Sequence, residues 1–260
     1  YRPEYRYYAY DFFFDNCSSR IRDIFEKLFS EEVISSQSNQ VSEVSFRQLL
    51  DYYLTDKPWS DFGIDLILGQ PSDEPADFRQ QMFLPDYLKD NLENSKTTNR
   101  SIVLEKPKVI YAFPRSGEKI PLYSKPIFWT LLLFGMALLM TFNGKNQKWV
   151  RYVDVFLFVL SGLAGALFLF MWLGTEHQAC YANWNMLWLF PGNIIMAWAL
   201  RKPALSKEVK TYFGAIAGLI FICITCGWFL PQQFHIAFYP LMATFFLRAI
   251  WRILEPMSKA

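Results

Sequence analysis

The sequence predicts a mainly α protein: an extracytoplasmic, soluble N-terminal part over residues 1–120 and a five-helix transmembrane domain over residues 121–260. Three observations predict it. Residues 1–120 carry 15 Lys/Arg and 20 Asp/Glu, whereas residues 121–260 carry 11 Lys/Arg and only 4 Asp/Glu. The second part holds five apolar runs near the ~20 residues that a helix needs to cross a bilayer core. The apolar residues of the first part recur mostly at helical spacing between capping and turn residues.

Composition sets outer limits. The chain of 260 residues is 52% hydrophobic, 18% aromatic and 19% charged, which excludes a disordered protein. A net charge of +2, with no basic patch interleaved with aromatics in the soluble part, argues against a nucleic-acid binder. The chain begins at Tyr1 in a Tyr/Phe-rich stretch that reads as domain interior, so further residues are expected upstream.

Cys17 to Phe29 reads as an amphipathic helix, with Ile21, Ile24, Phe25 and Leu28 on its apolar face and Asp15 or Asn16 as its N-cap. Ser45 caps a second helix through Phe46, Leu49, Leu50 and Tyr53, which Lys57-Pro58-Trp59 breaks. Phe62 to Leu68 is a short apolar segment ended by Gly69-Gln70-Pro71. Phe78 to Leu92 is helical with an interruption at Pro85, and Asn94 to Arg100 is a polar linker. Ile102 to Phe113, β-branched and aromatic, is a candidate strand, although Pro107 counts against a central one. Ser116 to Pro121 leads into the membrane.

The five spans are Pro126 to Gly144, Val155 to Thr175, Gln178 to Leu200, Thr211 to Phe234 and Ile236 to Leu254. The fifth carries Arg248 and Arg252 near its end, where long side chains can snorkel. Ten of the 11 basic residues after position 120 fall on one side of these spans, Lys125 being the exception. An excess of Lys/Arg marks cytoplasmic loops. The N-terminal part is therefore expected outside the cytoplasm and the C-terminus inside. The spans contain no carboxylate, which disfavours a proton-coupled transporter; Asp154 and Glu208 lie at the cytoplasmic edges.

Of four cysteines, Cys223 and Cys226 form a CxxC inside an apolar span with no zinc-site partners and read as packing residues. Cys180 falls in an outer loop. Cys17 stands apart, because Asp15-Asn16-Cys17-Ser18-Ser19-Arg20 places it in the first turn of a helix. The partial positive charge there favours a thiolate, Arg20 and Arg22 add to it, and first-turn N–H groups can hold an oxyanion. The competing reading is a structural cysteine. A thiol nucleophile needs a base, and the chain offers only His177 and His235, both at the expected outer face. His177 is followed by Asn183 and Asn185 in the same loop region. Asp61, Asp65, Asp73 and Glu74 read as scattered solvated acids. No P-loop, GxGxxG, HExxH or GxSxG is present, and no metal or cofactor is implied.

The run from Tyr10 to Asp23 around Asn16-Cys17-Ser18-Ser19 resembles the Bacteroidetes family that carries the Lnb N-terminal periplasmic domain. Phe46 to Leu50, Pro58 to Asp65, Gln81 to Leu88, Glu176-His177, Asn183, Asn185 and Leu187 to Pro191 extend the resemblance over most of the chain. The resemblance implies a lipoprotein N-acyltransferase of the bacterial inner membrane, with a circularly permuted papain-like α+β thiol domain in the periplasm. It implies Cys17 as nucleophile, a base in a Gly-His-Ser-like turn upstream that this chain lacks, and support from Asp15, Asn16, Ser18 and Arg20. His177, Asn183 and Asn185 become candidate substrate contacts, and Asp11, Asp15 and His177 compete as third catalytic residue. The implied partners are a phospholipid acyl donor and a lipoprotein acceptor. A membrane-tethered cysteine hydrolase and a non-enzymatic lipoprotein-binding scaffold are the alternatives. Oligomeric state is not legible.

Overall fold

A computed structural model describes residues 7–29, 43–97, 100–101, 108–111, 119–143 and 147–254. The protein is mainly α and falls into two compact units. The first comprises Tyr1–Tyr53, Ser72–Lys119 and His177–Ala179, and the second Leu54–Pro71, Ile120–Glu176 and Cys180–Ala260.

The first unit contains α1 (Cys17–Phe29), α2 (Phe46–Leu54, of which Leu54 falls in the second unit), α4 (Phe78–Gln81) and α5 (Pro85–Asn94). Ser45 caps α2 by accepting from Gln48 N at 3.2 Å, while its own N–H donates to Gln48 Oε1 at 3.1 Å. Asp77 and Gln80 make the same reciprocal box at α4. The core is aromatic: Phe13, Phe46 and Phe83 are buried, with centroids 4.5 Å apart for Phe13–Phe46 and 5.3 Å for Phe13–Phe83. Buried Arg47 is held bidentate by Asp73 at 2.9 and 3.0 Å. Two-residue strands β1 (Lys96–Thr97) and β2 (Arg100–Ser101) pair antiparallel. Of the expected strand over Ile102 to Phe113, only residues 108–111 are described, and they form none.

One expectation is reversed. Helix α1 buries Ser18, Ser19 and Arg22, while Ile21, Ile24 and Leu28 are exposed. The small and hydrogen-bonding residues fit the capped turn and the carboxylates beside it, and the aliphatic stripe faces away from the described core.

The second unit contains α3 (Pro58–Ile67), α6 (Pro126–Asn143), α7 (Gln147–Gly174), the short α8 (Asn193–Met196), α9 (Lys207–Cys226) and α10 (Phe238–Leu254). Among the described residues, three helical stretches are long and apolar enough to cross a membrane: Pro126–Asn143, Lys148–Gly174 and Lys207–Phe229. With α10 packed on α6 and α9, they make a multi-pass bundle.

The expected span from Gln178 to Leu200 is not one helix. It is a chain of short turns, 3-10 at Gln178–Cys180, Trp184–Leu187 and Ala197–Arg201, with α8 between the last two. Pro191 and Gly192 interrupt it, and Asn183, Asn185 and Asn193 anchor it by side-chain bonds. Trp188, Leu189, Ala197 and Leu200 are buried and serve protein packing, while Phe190, Ile195 and Trp198 are exposed. Irregular backbone at membrane depth is tolerated when protein covers it.

A second correction concerns Arg248 and Arg252, which are buried and do not snorkel. Arg248 grips Asp154 with two bonds of 2.7 and 3.0 Å and also donates to Thr141 Oγ1, joining α10, α7 and α6. Arg252 donates to the Leu200 and Lys202 carbonyls at 2.9 and 2.7 Å. Asp154 is fully buried within the protein. A buried charge is tolerable when it is paired in this way.

Candidate functional site

Cys17 stands on a turn built by Asp11 and Asn16. Asp11 and Asp15 pair through their backbones at 3.2 and 3.1 Å, and Asp11 Oδ1 accepts from Phe13 N and Phe14 N at 2.9 Å each. Asn16, 5% exposed, caps α1: its Oδ1 accepts from Ser19 N at 2.9 Å, and its N–H donates to Ser19 Oγ at 2.8 Å. Its Nδ2 donates to the Phe12 and Phe83 carbonyls at 3.0 and 2.9 Å. The cap is thus Asn16 and not Asp15. Cys17 follows as the first residue of α1, exposed and unoxidised, at the positive end of the helix dipole. Ser18 is buried beside it.

The neighbouring charges are already matched. Asp15 holds Arg20 bidentate at 2.6 and 2.7 Å, and this bond keeps the Asp15 carboxyl below its ordinary range. The Arg20 guanidinium lies 3.8 Å from the centroid of the Tyr8 ring. Arg22 binds Asp23 at 2.9 and 2.7 Å and donates to the Arg79 carbonyl. Neither arginine therefore brings an uncompensated cation to Cys17. Of the candidates for third catalytic residue, Asp15 is engaged by Arg20, whereas Asp11 retains a buried Oδ2 with no hydrogen-bond partner. His177 is exposed in the same unit.

Asn183 and Asn185 lie in the second unit, where both are buried. Asn183 Nδ2 donates to the Leu66 and Ile67 carbonyls at 3.0 and 2.9 Å, and Asn185 Nδ2 donates to the Asp65 and Leu66 carbonyls at 3.3 and 3.1 Å. Gln232 Nε2 reaches the Leu68 carbonyl at 3.1 Å. Three amides therefore satisfy carbonyls at the C-terminal end of α3, groups that a helix leaves without intrahelical partners.

Residues 118–259 match the family model described as the Lnb transmembrane domain. This chain belongs to the Lnb transmembrane domain family. No curated protein and no solved structure matches it. Within the part matched to the Lnb family lie His177, Asn183 and Asn185; Cys17 and its turn precede it.

A further cluster in this Lnb-family chain escaped sequence reasoning. Asp61 and Asp65 of α3 and His235 of the α9–α10 connection place ligand-type atoms within 4.8 Å of one another. Asp65 is 6% exposed, not a solvated acid. His235 Nε2 lies 3.4 Å from Asp61 Oδ2, and Phe62 and Phe238 flank the ring. Ala237 N–H donates to His235 Nδ1 at 3.1 Å, which engages that ring nitrogen as an acceptor. The i, i+4 spacing of Asp61 and Asp65 was the available signal; the partner 170 residues away was not legible.

Proposed function

We propose that this protein is a membrane-bound lipoprotein N-acyltransferase with Cys17 as its nucleophile. The observation that carries the reading is the exposed Cys17 thiol at the first position of a helix whose N-cap is locked by Asn16 and Ser19. The family resemblance around Cys17 supplies the reaction. The Cys17 thiolate attacks an ester carbonyl of a phospholipid, its proton passing to the histidine base implied by the resemblance. The collapsing intermediate releases lysophospholipid as the protonated alcohol and leaves an acyl-thioester. The α-amine of a diacylglyceryl-cysteine then attacks the thioester, loses a proton, and leaves as the amide while the thiol is regenerated. First-turn N–H groups of α1 stabilise the oxyanion in both halves, an effect of about 3–4 kcal/mol per donor.

The same reading places the protein in the inner membrane, with the Cys17 unit in the periplasm and the C-terminus in the cytoplasm. The one-sided distribution of Lys and Arg supports that orientation. The test is intact mass spectrometry of the full-length protein incubated with phospholipid and no acceptor. The expected result is an acyl-sized, hydroxylamine-labile adduct that Cys17→Ser lacks and that a diacylated lipopeptide discharges. A Cys17→Ser protein that retains lipopeptide acylation overturns the reading.

A further inference from the structure

The exposed residues of α1 are Cys17, apolar side chains and the cations Arg20 and Lys27, with no carboxylate among them. Ile21, Ile24 and Leu28 are 46%, 56% and 71% exposed. At about 100° per residue they fall within about 40° of Cys17, and they extend ~16 Å along the helix from it. The thiol thus stands at one end of an open aliphatic stripe. The acidic residues of the helix are turned toward the protein, where Asp23 binds Arg22 and Arg79, and Glu26 binds Arg79. Arg20 lies over the Tyr8 ring, and Tyr8, Tyr10, Phe12 and Phe14 are exposed in the segment that leads into Cys17.

Single exposed apolar residues are ordinary, but a contiguous stripe calls for a partner. Another segment of the chain or a second copy laid on this stripe would seal Cys17 with it, whereas the acyl-transfer reading needs the thiol to meet a phospholipid ester. An aliphatic centre edged by cations and tyrosines is the composition of a helix lying in a bilayer interface, where cations meet phosphates and tyrosines sit at headgroup level. The same chain carries helices long and apolar enough to cross a membrane, so contact with that bilayer is intramolecular in effect and needs little area. We infer that the exposed face of α1, from Cys17 to Leu28, docks on the phospholipid surface of the bilayer that its own chain spans. Ile21, Ile24 and Leu28 enter at the level of the glycerol esters and the first acyl carbons. The choice of occupant rests on the acyl-transfer reading; under it, docking holds the Cys17 thiol at the depth of the ester that it attacks.

The experiment places a benzophenone amino acid in place of Ile24 in the full-length Cys17→Ser protein. The protein is reconstituted in phosphatidylethanolamine–phosphatidylglycerol bilayers and irradiated, and mass spectrometry reads the products. The same probe in place of the exposed Leu139 of α6 is the control for lipid labelling. The expected product at position 24 is a phospholipid adduct. Ile21→Glu combined with Leu28→Glu should cut it about tenfold or more, because carboxylates are expelled from an apolar, anionic interface, and should leave the position 139 adduct unchanged. Both glutamates replace exposed side chains, and size exclusion and thermal melting confirm the fold. A crosslink from position 24 to another segment of the chain or to a second copy, in place of lipid, overturns the inference and identifies what covers the stripe. Absence of any lipid adduct at position 24 while position 139 is labelled also overturns it, as does an adduct that the two glutamates leave undiminished. The adduct forms without Cys17 chemistry. A wild-type protein that forms no thioester therefore counts against the acyl-transfer reading and leaves the docking result standing.

Discussion

Gly165 of α7 lies directly against the carbonyl oxygen of Leu189, and a Cβ at that position would overlap it. The obstruction is backbone, so no side-chain rotation relieves it. Gly162, one turn earlier, meets Ile194 N in the same way. These two glycines form the groove in which the irregular segment 184–201 sits, a use of small residues for close approach that membrane bundles favour. Gly165→Ala should destabilise the second unit by about 1–3 kcal/mol, the usual cost of overpacking. Thermal unfolding in detergent reads it. An unchanged midpoint would sink this account of the segment.

Asn183 offers a sharper contrast. Asn183→Ala leaves the Leu66 and Ile67 carbonyls without their shared donor, at about 1–3 kcal/mol for buried groups. Asn183→Asp keeps the shape but turns a carboxylate oxygen toward two carbonyl oxygens, and should be worse. The order of stability, wild type above Ala above Asp, is checked by chemical denaturation. If Asn183 contacts substrate instead, folding should be indifferent and activity alone should fall.

At the Cys17 turn, Asn16→Asp preserves the acceptor for Ser19 N but loses both Nδ2 donations, to Phe12 O and Phe83 O. Asn16→Ala loses all three bonds, at about 1–2 kcal/mol for the cap alone. Both should slow alkylation of Cys17 by iodoacetamide, Ala more than Asp. Equal alkylation rates in all three proteins would show that the cap does not govern the thiol.

The Asp15–Arg20 pair gives a pH signature. Arg20 lowers the Asp15 carboxyl in the folded state, so the pair contributes stability above the ordinary carboxylate range and loses it as pH falls through the lowered value. Arg20→Gln should therefore be slightly less stable than wild type at neutral pH, with the difference vanishing in acid. The pair is half exposed, so the effect is small and weakens in salt. Melting curves at several pH values decide it.

Ala182 adopts φ +47°, a left-handed conformation that costs a non-glycine residue about 1–2 kcal/mol. Ala182→Gly should therefore raise stability by about 0.5–1 kcal/mol, after the glycine's greater unfolded-state entropy is set against the strain. A lower melting temperature would mean that the Ala182 methyl packs more than it strains.

Much of this was legible before any coordinates. The Cys17 turn, the Ser45 cap, the break at Pro85 and the long apolar helices are local: each depends on residues within a few positions of one another, where capping and turn chemistry act. The class of the protein and its membrane helices followed from runs of uncharged residues, because hydrocarbon admits little else.

What tertiary structure alone decided is non-local. Hydropathy sees only that Gln178 to Leu200 is apolar; whether those side chains face lipid or protein depends on Gly162 and Gly165 far away in sequence. Amphipathic spacing found the aliphatic stripe of α1, but partners elsewhere put Ser18, Ser19 and Arg22 inside instead. The sequence by itself determined an exposed-type thiol at a helix start and a multi-pass chain. Only the fold could bring His235 to Asp61, and Asn183 to the end of α3, because such contacts join residues more than a hundred positions apart and leave no trace in local spacing.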